Sequence, residues 1–162
     1  MGERLLCKEE VRGSSPLSST RCFRKGELKA VDKIQIVHPD ALEVEVASGA
    51  MKRLAGVSKA LTGAKGIHLA VATIPPQCTS SPHYHVNCES AIYILRGRGR
   101  FLVGRDLKTA LEFAPGDFIY VPPGAVHQPV NDSATEPVEM IVARNTPVEV
   151  VVEYRPATSP TL

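Results

Sequence analysis

At 162 residues, 43% of them hydrophobic and 22% charged, the chain has room for one packed domain and not comfortably for two. Its formal net charge of +2 arises in the head: residues 1–30 carry seven Lys/Arg against four Asp/Glu, and the remainder twelve against thirteen. A near-neutral body without basic patches interleaved with aromatics gives nucleic-acid binding no support, and no apolar run approaches the roughly 18 residues of a membrane span, so no membrane partner is expected.

The first 30 residues are polar and aperiodic, which predicts a disordered tail. Within it, Gly13-Ser14-Ser15-Pro16 can be encoded by GGTTCGAGTCCC, which resembles the T-arm of a tRNA gene. A native start near residues 28–31 is therefore expected. Residues 31–156 are expected to form the folded domain, and 157–162 a short tail. The texture changes at residue 33. Residues 33–37 and 42–46 alternate apolar with polar, the period of half-buried strands, with a turn at 38–41 between them. Residues 50–61 would suit a short helix by composition, but Gly56 and β-branched Val57 favour extended chain.

Further strands are predicted at 66–74, ended by Pro75-Pro76, and at 90–95. There Gly97-Arg98-Gly99 promises a tight reversal into 100–103. Residues 108–113, 118–121, 138–143 and 148–154 complete the series. Eight to ten short strands punctuated by thirteen prolines and twelve glycines indicate an all-β barrel or double-sheet roll. The four cysteines (Cys7, Cys22, Cys78, Cys88) form no CxxC pair, and no charged-then-apolar leader is visible. The expected compartment is the reducing cytoplasm, with the cysteines as thiols.

Of five histidines, two stand at His83-Tyr84-His85, with Glu89 four residues on. On extended chain, alternate residues share a face, so 83, 85 and 89 are expected to converge, with Cys88 turned away as a buried structural thiol. His127 ends a Pro/Gly-rich stretch beginning at Pro115, and neighbouring strands would bring it to the same point. Three neutral imidazoles and a carboxylate suit one divalent transition metal ion (Mn, Fe, Co, Ni, Cu or Zn) and leave positions open, as catalytic sites do. A solitary His-x-His is more often a solvated surface feature, and it is the second segment that argues against that here.

The two segments resemble the paired motifs of the cupin superfamily. The first motif is glycine, five residues, His-x-His, three or four residues, Glu, six residues, Gly. His83, His85 and Glu89 match it; Gly97 arrives one residue late and Gln77 replaces the leading glycine. The second is Pro-Gly, five residues, Pro-x-Gly, two residues, His, three residues, Asn, and Pro115, Gly116, Pro122, Gly124, His127 and Asn131 match it without a gap. The resemblance implies a small single-domain cupin, an RmlC-like jelly roll with the metal near its centre and a pocket opening at one end. Tyr93, Phe101, Phe118, Tyr120, Gln128 and Met140 are the candidate pocket residues, although each also fits an ordinary core. Retention of Glu89 speaks against the thiol dioxygenase branch, which lacks that carboxylate.

The expected function is a metal-dependent enzyme of dioxygenase, decarboxylase or isomerase type, acting on a small oxygen-rich organic molecule. Glu89 would serve as ligand or as catalytic base. The alternative is a non-catalytic binding or sensing module. Small cupins often pair through sheet edges, so a homodimer through residues 33–37 and 42–46 is expected.

Overall fold

The computed structural model describes residues 34–156, so the expectations for 1–30 and 157–162, and for Cys7 and Cys22, lie outside the described residues. Twelve strands run in chain order among the described residues. They are β1 (Glu43–Glu45), β2 (Lys52–Val57), β3 (His68–Ile74), β4 (Cys78–Thr79), β5 (His83–His85) and β6 (Ser90–Arg96). They continue as β7 (Gly99–Val103), β8 (Thr109–Phe113), β9 (Phe118–Val121), β10 (His127–Asn131), β11 (Val138–Arg144) and β12 (Val151–Glu153).

All pairings are antiparallel. One sheet has the order β1-β2-β3-β11-β6-β9; the other has β12-β5-β10-β7-β8, with β4 also on β10. The expected all-β jelly roll is the observed architecture. Alternation along β3, β6 and β11 sends one face of each strand inward. Ala72, Ile74, Ile92, Ile94, Val138 and Met140 thus meet Phe101 and Phe113 of the other sheet in a single buried cluster. Each fully buried aliphatic contributes about 1.5–3 kcal/mol.

Four local expectations change. Residues 34–37 form no strand: Ile34 and Ile36 are 99% and 79% exposed, because alternation alone supplies no neighbouring strand to bond to. The turn at 38–41 is a 3-10 helix, Pro39–Ala41. Residues 50–61 are mostly extended as β2, but a one-turn helix, α1 (Lys59–Thr62), follows. Ser58 Oγ caps it by accepting from Leu61 N at 3.0 Å, and Gly63 in the left-handed region ends it.

The fourth change concerns Gly97-Arg98-Gly99, which does not close a hairpin. It carries the chain from β6 in one sheet to β7 in the other. Gly97 has φ +79°, and a Cβ there would collide with the backbone of Pro137 and Val138, so only glycine fits. At the far end of the second motif, Asn131 is 1% exposed. Its Nδ2 reaches the carbonyls of Ile74, Pro75 and Glu136 at 3.0, 3.1 and 2.8 Å, while Oδ1 accepts from Ser133 N at 3.0 Å. That one side chain ties the loops at the end of β3 and before β11 to β10.

Candidate metal centre

β5 and β10 lie side by side with His127 directly opposite His83, and His85 follows two residues on from His83 on the same inward face. The strand pleat therefore delivers three imidazoles to one point. Ring centroids are 4.4 Å apart for His83 and His127, 5.2 Å for His83 and His85, and 5.3 Å for His85 and His127. Each residue offers one ring nitrogen, and the three nitrogens lie within 4.8 Å of one another. All three side chains are buried.

Hydrogen bonding sets which nitrogen is available. His83 Nδ1 faces the Ser81 carbonyl at 2.7 Å and His127 Nδ1 the Ala125 carbonyl at 2.9 Å. A carbonyl only accepts, so both Nδ1 atoms carry the proton and both Nε2 atoms keep a free lone pair. His85 Nδ1 lies 3.1 Å from Oε2 of the Glu149 carboxylate, a charge contact without hydrogen-bond geometry. Burial, with His83 alongside, pushes His127 down to about 4, and burial also lowers His83. Neutral imidazoles with the second nitrogen anchored are what a divalent first-row metal requires. The donor set fits such an ion.

Glu149 belongs to a buried charge network at one side of the site. Arg53 and Arg144 both grip its carboxylate. Arg53 Nε also reaches Glu45 Oε2 at 2.6 Å, and Arg144 lies 3.7 Å from the same oxygen. His68 completes the set. Arginine only donates, so His68 Nδ1 accepts from Arg144 at 2.7 Å and its Nε2–H faces Glu45 Oε1 at 2.6 Å. Burial by itself would raise the Glu149 carboxyl, but the contact with His85 and the two guanidiniums overcome it and hold the group well below the usual carboxylate range.

A cavity of about 50 Å³ lies between the histidines and this network, bounded on its other sides by Phe101, Val121, Ile92 and Met140. Ser90 Oγ, on a side chain 2% exposed, also lines it and has no hydrogen-bond partner among the described residues. The space suits an ion and a small ligand atom, not a whole substrate.

Residues 70–144 match the family model for the Cupin domain. These residues form a cupin domain. No curated protein matches it by sequence, but solved structures share its fold. The polyketide cyclase RemF from Streptomyces resistomycificus is 21% identical with a TM-score of 0.63, over 75% of this chain and 85% of that one. A cupin-superfamily sugar phosphate isomerase from Silicibacter pomeroyi is 20% identical with a TM-score of 0.58, over 72% and 80%. The oxalate decarboxylase of Lactobacillus farciminis, in a formate complex, is 21% identical with a TM-score of 0.61; 72% of this chain matches 34% of that one. These likenesses establish the fold alone.

Three of the four expected ligands of this cupin domain come together, and Glu89 does not. The chain bends at Val86 and Asn87, and this shifts the alternation by one: Cys88 and Ser90 turn inward while Glu89 is exposed. Its carboxylate accepts from Tyr120 Oη at 3.2 Å and from Asn145 Nδ2 at 3.4 Å, outside the histidine group. Parity counted from His85 fails because the strand is interrupted. Cys88 is buried, as expected, but on the inward parity shared with Ser90 and not on the face opposite the ligands; burial raises its thiol pKa.

Among the expected pocket residues, Phe101 and Met140 line the cavity with the histidines. Tyr93 and Phe118 meet ring to ring at 4.7 Å, tilted by 46°, and Phe118 and Tyr120, 82% and 63% exposed, line an open cleft that also reaches Phe101 and His127. Gln128 alternates away from His127 and donates to the Ser80 carbonyl at 3.0 Å. Sequence reasoning missed Ser90, Arg53, Arg144 and Glu149. Ser90 and Arg144 were accessible, since they share parity with Ile92 on β6 and with Met140 on β11. Glu149 was not, because it lies in the irregular segment between β11 and β12.

Proposed function

We propose that this chain is a metal-dependent enzyme that holds one divalent transition metal ion on His83, His85 and His127 and acts on a small oxygen-rich organic molecule. The observation that carries the reading is the convergence of three buried imidazole nitrogens within 4.8 Å of one another, with Nδ1 of His83 and His127 committed to backbone carbonyls. Three protein donors leave coordination positions open, which distinguishes catalytic from closed structural sites. When bound, the ion supplies Lewis-acid polarisation of substrate oxygens.

The chain's own residues do the rest. The carbonyls of Ser81 and Ala125 hold the Nδ1 protons of His83 and His127 and fix those rings, and the Glu149 carboxylate lies beside His85 Nδ1. Phe101, Val121, Ile92 and Met140 exclude water from the remaining sides. The same reading keeps a cytoplasmic setting and a homodimer; Val44 on the outermost strand β1 and Val46 just after it, 81% and 96% exposed, support the pairing of copies. Among the described residues no helix is long and apolar enough to cross a membrane.

Elemental analysis of the purified full chain should find close to one first-row metal ion per molecule, and His83→Ala or His127→Ala should abolish it. A wild-type chain that holds no ion after supplementation with Mn, Fe, Co, Ni, Cu and Zn in turn would sink the reading.

A further inference from the structure

Two open clefts border the metal centre: one meets the charged network of Glu45, Arg53, Arg144 and Glu149, and the other, along the seam between β8 and β9, reaches His127. β8 ends one sheet and β9 ends the other, so neither has a further strand to cover it. Leu111 on β8 is paired with Phe101 on β7, and paired residues of an antiparallel ladder face the same side. Phe101 is buried in the core at 4% exposure, yet Leu111 on the same inner face is 55% exposed. An inward-facing leucine left in solvent marks a place where the interior is uncovered.

A cleft of about 740 Å³ occupies this seam, within the size range of small-molecule sites. Val103, Leu111 and Ile119 line its flanks, and Phe101, Val121 and His127 form its floor. The last three also bound the 50 Å³ cavity, so the cleft and the metal centre share a wall.

Charge narrows the occupant. Among the described residues no Lys or Arg lines the cleft, and the carboxylates that do are Glu112 and Asp117. Asp117 is occupied, accepting from Ala114 N at 2.7 Å, and Glu112 alternates with Leu111 and so faces outward. The arginines nearest the metal centre, Arg53 and Arg144, are already neutralised by Glu149 and Glu45. Nothing on the route offers an unpaired cation to a dianionic acid, whereas apolar side chains offer a wall to a ring.

Resting on the metal reading above, we infer that the seam between β8 and β9 is the substrate site, and that its occupant is a molecule uncharged in free solution, with an apolar, ring-sized body and one or two oxygen donors directed at the histidine cluster. A small dianionic acid is a poor fit.

The test uses the full chain loaded with Co(II), whose visible absorption reports ligands entering its coordination sphere. Catechol and oxalate serve as probes, with calorimetry as a second readout. Catechol should perturb the cobalt bands saturably and bind at least about tenfold more tightly than oxalate, and Leu111→Glu should weaken catechol by about tenfold or more at unchanged cobalt content. Val71→Glu, placing the same charge on the outer face of β3, should leave catechol binding as in the wild type. Equal or tighter binding of oxalate, or a Leu111→Glu chain that binds catechol normally, overturns the inference while leaving the metal site intact. Conversion of a dimer to a monomer by Leu111→Glu would assign the seam to an interface between copies and also overturn it. A wild-type chain that takes up no cobalt or any other metal fails earlier, at the metal reading itself.

Discussion

The histidine cluster has two contrasting sides. On one, β1, β2, β3 and β11 contribute Glu45, Arg53, His68 and Arg144, which with Glu149 form a buried lattice of balanced charge. On the other, β7, β8 and β9 present Phe101, Leu111, Ile119 and Val121 around an open cleft. The charged side is held by ion pairs and borders an open cleft of about 680 Å³; the apolar side borders one of about 740 Å³ without ion pairs. Ion pairing and an apolar lining are thus assigned to different sheet edges, and a substitution should disturb one without the other.

The largest expected effect tests the charged side as structure. Arg144 is 5% exposed and contacts Glu149, Glu45 and His68. Arg144→Ala leaves two carboxylates partly unpaired in a desolvated setting, which should cost about 3–5 kcal/mol. Denaturant unfolding measures it, with the slope of the transition unchanged. By contrast, Leu111→Ala on the apolar side should change stability by less than about 0.5 kcal/mol, as exposed positions do. Comparable losses for the two would remove the distinction.

Second in size is the coupling between the charged side and the metal. Glu149 is the member of the network that touches a histidine of the cluster, at 3.1 Å from His85 Nδ1. Glu149→Gln should weaken metal binding by about 10–100-fold in chelator competition, the usual consequence of losing an anionic partner behind a ligating imidazole. Glu45→Gln removes an equal charge from the same network but no contact to the cluster. It should lower stability yet leave metal affinity within about twofold. If both variants weaken metal binding alike, Glu149 acts through general destabilisation and not by holding the ring.

Asn131 supplies a smaller effect of the same kind at the far end of β10. Asn131→Ala strands the carbonyls of Ile74, Pro75 and Glu136 without their donor, which should cost about 1–3 kcal/mol in the same unfolding experiment. Metal affinity should be little affected in the chains that remain folded, because Asn131 is four residues from His127 and touches no histidine.

The strands were legible where alternation was long and bounded by Gly or Pro, as in β3, β6, β9 and β11, and the histidine triad was legible because both motifs carried it. What escaped depended on contacts distant in sequence. Residues 34–37 alternate as well as any strand, but no partner lies beside them. Gly97 looked like a hairpin residue, yet its role is set by Pro137, forty residues away. Glu149 could be recognised only once the irregular segment after β11 folded back between Arg53 and Arg144.

The smallest expected effect is the most instructive about that limit. Motif spacing nominates Glu89 as the carboxylate of the metal centre, and the fold places Glu149 nearest the histidines instead. The two are separable because Glu89 is exposed just past the bend after β5 and bonded to Tyr120 and Asn145, while Glu149 is half-buried against His85. Glu89→Gln retains both hydrogen-bonding neighbours in shape and removes only a solvated charge, so metal affinity should stay within about twofold of wild type and stability within about 0.5 kcal/mol. Chelator competition on Glu89→Gln and Glu149→Gln side by side decides the matter. A large loss for Glu89→Gln and none for Glu149→Gln would mean that the bend at Val86 and Asn87 rearranges when the ion binds, restoring the face that the motif assigns to Glu89.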